Sequence, residues 1–74
     1  MRIAAYTYEA DIHCPSCALA AQEGGRLKQA GRPIRDQHGV MEWLDDREGN
    51  MVCPVFAHEI ETPTHCGTCR EEIQ

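Results

Sequence analysis

His13-Cys14-Pro15-Ser16-Cys17 near the start and His65-Cys66-Gly67-Thr68-Cys69 near the end decide how this chain is read. Each is a Cys-x-x-Cys unit preceded by a histidine. Two intervening residues let both sulfurs of one tight turn face the same point. A second turn brought alongside completes a tetrahedron, with metal–sulfur bonds of about 2.3 Å for zinc. Pro15 stiffens the first turn, and Gly67 relieves the second of steric limits. Cys14, Cys17, Cys66 and Cys69 are therefore the candidate ligands, with one structural Zn2+ per chain as the expected occupant.

Between Cys17 and Cys66 lie 48 residues, where many zinc ribbons have roughly 15–20. The geometry tolerates the longer interval, which makes the middle of the chain an insertion held by its two ends. The 74 residues are read as a single zinc-binding domain, 1–74. Its apolar fraction of 42% includes eight Ala and five Cys, leaving eleven Ile, Leu and Val with three Met, Phe56, Trp43, Tyr6 and Tyr8. So thin a core needs a staple, and a structural zinc supplies on the order of 10–16 kcal/mol of apparent binding energy. A disulfide framework is the other use of cysteines. The odd count speaks against it, and so does the polar strand pattern that follows Met1-Arg2-Ile3-Ala4-Ala5 with no apolar leader. A reducing, cytoplasmic compartment is expected, and no stretch approaches the length of a membrane span.

The net charge of −5 is uneven: residues 1–37 hold five basic and four acidic side chains, residues 38–74 two and eight. Such a surface repels phosphate backbones in general. Arg26, Lys28, Arg32 and Arg35 form a local basic run with no acid inside it.

Along the chain, residues 2–12 alternate as one strand, with Tyr6, Tyr8, Ala10 and Ile12 on the core side. A short helix is expected from about Ser16 to Glu23 on the strength of Ala18-Leu19-Ala20-Ala21. Gly24-Gly25 punctuates it, and Arg26–Ala30 can resume it, with Gly31 as stop and Pro33 beyond. Cys17, Ala20, Gly24, Leu27 and Gly31 would then share one face. Residues 31–39 read as a loop, Val40–Leu44 fit helix or strand, and Trp43 is expected as the main core aromatic. Asp45-Asp46-Arg47-Glu48-Gly49-Asn50 is a turn by composition, its acids read as a solvated tip. Met51–Phe56 reads as a second strand that Pro54 confines to an edge or a break. The tail Arg70–Gln74 has the length of one helical turn. Cys53 is expected as a packed free thiol. His13 and His65 are expected to flank the site as hydrogen-bond donors rather than ligate. His38 and His58 have no partner that spacing can name.

The two His-Cys-x-x-Cys units resemble the knuckles of zinc ribbon proteins. The wider layout is a tyrosine-bearing strand, a cysteine pair, a Glu-Gly-Asn turn, a Pro-Val-Phe strand and a terminal His-Cys-Gly-Thr-Cys. It is similar to that of short zinc-binding proteins of prokaryotes and their phages. The resemblance implies the ligands Cys14, Cys17, Cys66 and Cys69 and carries no activity to transfer.

Three other readings use the same residues. Cys14-Pro15-Ser16-Cys17 between a strand and an Ala-rich helix resembles a thioredoxin-like redox pair, whose first thiol a helix N-terminus would activate. The second pair argues against it, because a redox module has no use for a matching unit at the far end. A rubredoxin-like iron site shares the four-thiolate set, but the aromatic shell is sparse and neither pair has a trailing glycine. A nucleic-acid-binding ribbon would rest on residues 26–35 alone. The expectation is thus a small zinc-stapled α+β domain with two or three short strands and one Ala-rich helix. Four thiolates leave no open position for catalysis, so its role is read as binding a larger protein, as adaptor or inhibitor, through an acidic face that meets a basic one.

Overall fold

The alternating run of residues 2–12 does not continue as one strand but folds back on itself. Glu9 and Ala10 both sit at positive φ, 51° and 60°, which is what a two-residue hairpin turn requires. Such turns usually carry Asn-Gly or Asp-Gly, so a Glu-Ala turn has no compositional signature. Tertiary contacts hold it instead: Arg26 donates to both carboxylate oxygens of Glu9, at 2.7 and 2.8 Å, and the Glu9 N–H donates to Asp46 at 2.9 Å. The resulting strands are β1 (Ile3–Tyr8) and β2 (Asp11–His13), with Tyr6 opposite His13 and Tyr8 opposite Asp11. The turn-back puts His13, rather than Ile12, on the tyrosine face of the sheet.

The computed structural model describes residues 2–31, 34–41 and 43–73; Arg32, Pro33, Glu42 and Gln74, which enter the expectations above, lie outside the described residues. After the hairpin come α1 (Pro15–Glu23), β3 (Lys28–Gln29), β4 (Leu44–Asp45), β5 (Cys53–Phe56), a 3-10 turn (Ala57–Glu59), β6 (Thr64–His65) and β7 (Glu72–Ile73). The main antiparallel sheet has the order β2-β1-β5, and β3-β4 and β6-β7 form two small ladders. The fold is a small α+β domain with one described helix and several short antiparallel strands. Pro54 stands on edge strand β5, where its missing N–H breaks no ladder.

Three local expectations are corrected. The helix does not resume after Gly24. Arg26 and Leu27 turn back to bond the Ala21 carbonyl, and Lys28-Gln29 pairs as β3 with β4. The buried helix residues are accordingly Ala18 and Gln22, not the Cys17–Ala20–Gly24 line. Gln22 stitches the helix to the following loop: its amide accepts from Met41 N–H at 2.6 Å and donates to the Gly39 carbonyl at 3.1 Å. The tail adopts strand β7 rather than a helical turn, because pairing with β6 seats Ile73 in the core. Trp43 is 54% exposed at φ 60°, and Leu44 fills the core place beside it.

Two apolar clusters result. The larger joins Tyr6, Tyr8, Ala18, Leu27, Val40, Leu44 and Val52. The smaller joins Ala4, Ala5, Cys66 and Ile73, with Cys14 and Cys17 packed against it. Strand β1 feeds both. No helix among the described residues is long and apolar enough to cross a membrane.

Candidate metal centre

The two cysteine units arrive from opposite ends of the chain on different local scaffolds. The first is a helix start. Cys14 leaves β2 in an extended conformation at the N-cap of α1, Pro15 takes the first helical position where no N–H is needed, and Cys17 lies one turn in. The second is a hairpin turn between β6 and β7. The Cys66 N–H bonds the Glu71 carbonyl at 2.9 Å, the Arg70 N–H bonds the Cys66 carbonyl at 3.0 Å, and Arg70 at φ 67° closes the turn.

The four Sγ atoms of Cys14, Cys17, Cys66 and Cys69 lie within 4.8 Å of one another. Cys14 Sγ and Cys69 Sγ are 3.6 Å apart, far beyond a disulfide bond of about 2.05 Å. A tetrahedral site with bonds of about 2.3 Å has sulfur–sulfur edges of about 3.8 Å. The donor set and its spacing therefore fit a tetrahedral metal, and the cluster can hold a metal ion. Cys66 is fully buried, Cys14 and Cys17 are half-buried, and Cys69 is exposed.

The electrostatics of the bare thiols have the same character. Burial raises the Cys14 and Cys17 thiols above the ordinary range, and neighbouring sulfurs add to the rise at Cys17. At Cys66 burial also works upward, but backbone groups at Cys14, Cys69 and Thr68 outweigh it and hold the thiol down to about 5. One such donor is the Thr68 N–H, 3.4 Å from Cys66 Sγ. Backbone donors thus favour the Cys66 thiolate while burial and neighbouring sulfurs oppose ionisation of Cys17.

The second unit is docked on β2 by three successive residues. The Asp11 carboxylate lies over Gly67, so closely that a Cβ there would come within 2.1 Å of Asp11 Oδ2. The Ile12 carbonyl accepts from the Gly67 N–H at 2.8 Å. His13 Nδ1 meets the Thr68 hydroxyl at 3.0 Å. The other ring nitrogen, Nε2, donates to the Tyr8 carbonyl at 3.2 Å, and the imidazole stacks on the Tyr8 ring with centroids 3.9 Å apart. His13 is thus a buried side chain with both nitrogens engaged, not a loose flank. Its counterpart His65 is exposed. Neither Asp11 nor Thr68 stood out in the sequence, since a two-residue turn at Glu9-Ala10 had to be known before β2 could be placed.

The remaining candidates separate from this centre. Cys53 is exposed on β5 rather than packed, its thiol pointing to the Met51 carbonyl. The described members of the basic run are each set against an acid. Arg26 pairs with Glu9, Arg35 lies 3.5 Å from Glu23, and Lys28 stands opposite Asp45 across β3-β4. Asp46 is no solvated tip. Its buried carboxylate accepts the N–H groups of Glu9, Glu48 and Asn50, each at 2.9 Å. These bonds hold the carboxyl below the usual carboxylate range, the Glu9 donor first.

A groove of about 300 Å³ opens beside the main sheet, walled by Ile3, Tyr6, Met41, Trp43, Met51 and Phe56 among others, with Asp36 as its charged member. Trp43 is propped outward there: Gly31 packs so closely that a Cβ would fall 2.9 Å from Trp43 Cβ. No protein-family model matches the chain, and no curated protein or solved structure matches it either.

Proposed function

We propose that this chain is a structural-zinc module that works by binding a larger protein. The observation that carries the metal half is the four-thiol cluster, with sulfurs gathered at the spacing of a tetrahedral site and drawn from both ends of the chain. Zinc is preferred to iron, which four thiolates also hold, because the aromatic shell is sparse and neither cysteine pair has a trailing glycine. A site closed by four sulfurs has no position for substrate, so its role is to hold the fold. The redox alternative would leave Cys14 and Cys17 as a pair of their own. The contact of Cys14 Sγ with Cys69 instead ties the first pair to the second.

The binding half is supported by the groove around Trp43 and Met51, which are 54% and 51% exposed. Large apolar side chains at the rim of a concave surface are what partner docking uses. The occupant is a protein segment with apolar anchors and basic flanks, facing Asp36 and the acidic half of the chain. Addition of a strand to β5 is disfavoured: Pro54 has no N–H, and that of Phe56 is taken by Glu59 at 3.0 Å. A nucleic-acid role loses support from the ion pairs of Arg26 with Glu9 and Arg35 with Glu23.

The test has two stages. Protein purified without chelator should carry about one zinc per chain. Cys14→Ser, Cys17→Ser, Cys66→Ser or Cys69→Ser should release it, and Cys53→Ser should not. Zinc-loaded protein used as bait in the native cell extract should then capture a protein that Trp43→Ala loses while keeping its zinc. A chain that is stable without metal, or salt-sensitive binding to nucleic acid abolished by replacing Arg26, Lys28, Arg32 and Arg35, would overturn the two halves respectively.

A further inference from the structure

We infer that His13 is a positioning residue: through Thr68 it clamps the second cysteine unit onto the first hairpin and so sets how tightly the four-thiol site keeps its metal. The inference rests on the metal reading above and concerns a residue that does not ligate.

The argument is one of connectivity. The two cysteine units share no element; one starts a helix and the other turns a hairpin, 49 positions apart from Cys17 to Cys66. Within the centre itself they are joined by sulfur contacts and by the Cys14 backbone group that bonds the Cys66 thiol. Outside it, among the described residues, a side-chain hydrogen bond joins them directly from His13 to Thr68, at 3.0 Å. Thr68 lies between Cys66 and Cys69, and its own N–H donates to Cys66 Sγ at 3.4 Å. A rotation of the Thr68 peptide plane would therefore displace a ligand's hydrogen bond.

His13 is fit to resist that rotation. It is only 5% exposed, its far nitrogen is fixed by the Tyr8 carbonyl, and its ring face is fixed by the Tyr8 ring. Because a carbonyl only accepts, Nε2 must carry a proton, and the Thr68 hydroxyl completes the pair at Nδ1. With both nitrogens used in this way, neither is free for a metal. Groups that hydrogen-bond a ligand directly, as the Thr68 N–H does, orient it in metal sites generally, and their loss costs about 10–100-fold in affinity; His13 acts one bond further out, by holding Thr68.

Zinc-loaded protein is challenged with an excess of a chromophoric chelator, and the rate and equilibrium of transfer are read. Thr68→Val removes the hydroxyl at nearly constant shape, and Thr68→Ser restores it. His13→Phe keeps a ring on Tyr8 and removes both hydrogen bonds. We expect Thr68→Val and His13→Phe to weaken zinc binding about 10–100-fold, Thr68→Ser to bind as the parent does, and His65→Ala to change nothing. Val52→Ala, in the cluster that holds no cysteine, serves as the control for stability alone. At an equal loss of melting temperature it should release zinc more slowly than Thr68→Val. Equal release from Val52→Ala and Thr68→Val, or a Thr68→Val protein that binds like the parent, overturns the clamp and leaves the metal reading standing. A parent chain that takes up no zinc overturns the metal reading, and the clamp with it.

Discussion

A methyl group at Gly67 would meet the Asp11 carboxylate. Its carbon would lie 2.1 Å from Asp11 Oδ2 and 2.5 Å from Asp11 Cγ, so the Asp11 side chain must swing aside and give up its bond from the Ile12 N–H, or the second cysteine turn must shift. Gly67→Ala should therefore cost about 1–3 kcal/mol, the range for overpacking. In a domain of this size that is about 4–8 °C of melting temperature per kcal/mol. Asp11 is exposed and its truncation removes the obstruction, so the pair Asp11→Ala/Gly67→Ala should recover most of the loss. Thermal melts of the four proteins in the cycle check this, and equal losses in the single and double variants would show that the clash is relieved elsewhere. Trp43 is the opposite kind of residue. It holds an uncommon positive φ with its indole outside, a backbone state that costs of order 1 kcal/mol or more. Trp43→Gly should be tolerated or slightly stabilising in the free protein, by about 0–1 kcal/mol. A large drop in melting temperature would mean that the indole supports the fold rather than a partner.

Among the elements, the turn from Asp45 to Asn50 shows how a polar side chain can organise a loop. Asp46 gathers backbone donors from its own turn and from the Glu9 turn of the first hairpin, so it joins two loops that share no strand. Its carboxyl is held below its unfolded value, near 3.9. The stability it adds is complete above that value and is lost as pH falls through the lower folded value. Asp46→Asn should melt earlier than the parent at pH 7, and the gap should close in acid as the parent's carboxylate takes up its proton. A gap that stays constant from pH 7 to pH 3 would show that the charge contributes nothing. The turn itself was legible from Asp-Asp-Arg-Glu-Gly-Asn, as were the helix from its alanines, β5 from Pro-Val-Phe and the four gathered cysteines from their spacing. What stayed illegible depended on tertiary contacts. The Glu9-Ala10 turn uses residues that no turn table favours, and Arg26 and Asp46 from elsewhere hold it. Lys28-Gln29 abandons a helical pattern because β4 is there to pair with. Once the hairpin is missed, the side of every residue on β2 is inverted, and with it the role of His13.

For the molecule as a whole, the cysteine centre and the main core are not independent layers. Strand β1 gives Tyr6 and Tyr8 to the larger cluster and Ala4 and Ala5 to the smaller. Helix α1 is capped by Cys14 and buries Ala18 one position beyond Cys17. Loosening of the thiol cluster would therefore reach β1 and the start of α1 together, the elements that give Tyr6, Tyr8 and Ala18 to the larger cluster. Among the described residues, the buried hydrophobic side chains larger than alanine or cysteine are Tyr6, Tyr8, Leu27, Val40, Leu44, Val52 and Ile73, a short list. Domains this small rarely stand on the core alone, and ligand binding to the folded state is folding free energy by linkage. Treatment of the zinc-loaded protein with a strong chelator should abolish the dispersed amide spectrum and most of the far-ultraviolet circular dichroism in one cooperative step, and added zinc should restore both. The midpoint of thermal unfolding should rise with free zinc concentration, by the increment that RT ln(1 + [L]/Kd) requires. A spectrum unchanged after confirmed loss of zinc would mean that the two clusters hold without the thiol centre. A spectrum in which only residues 64–73 and the first turn of α1 broaden would mean that β1 does not couple them.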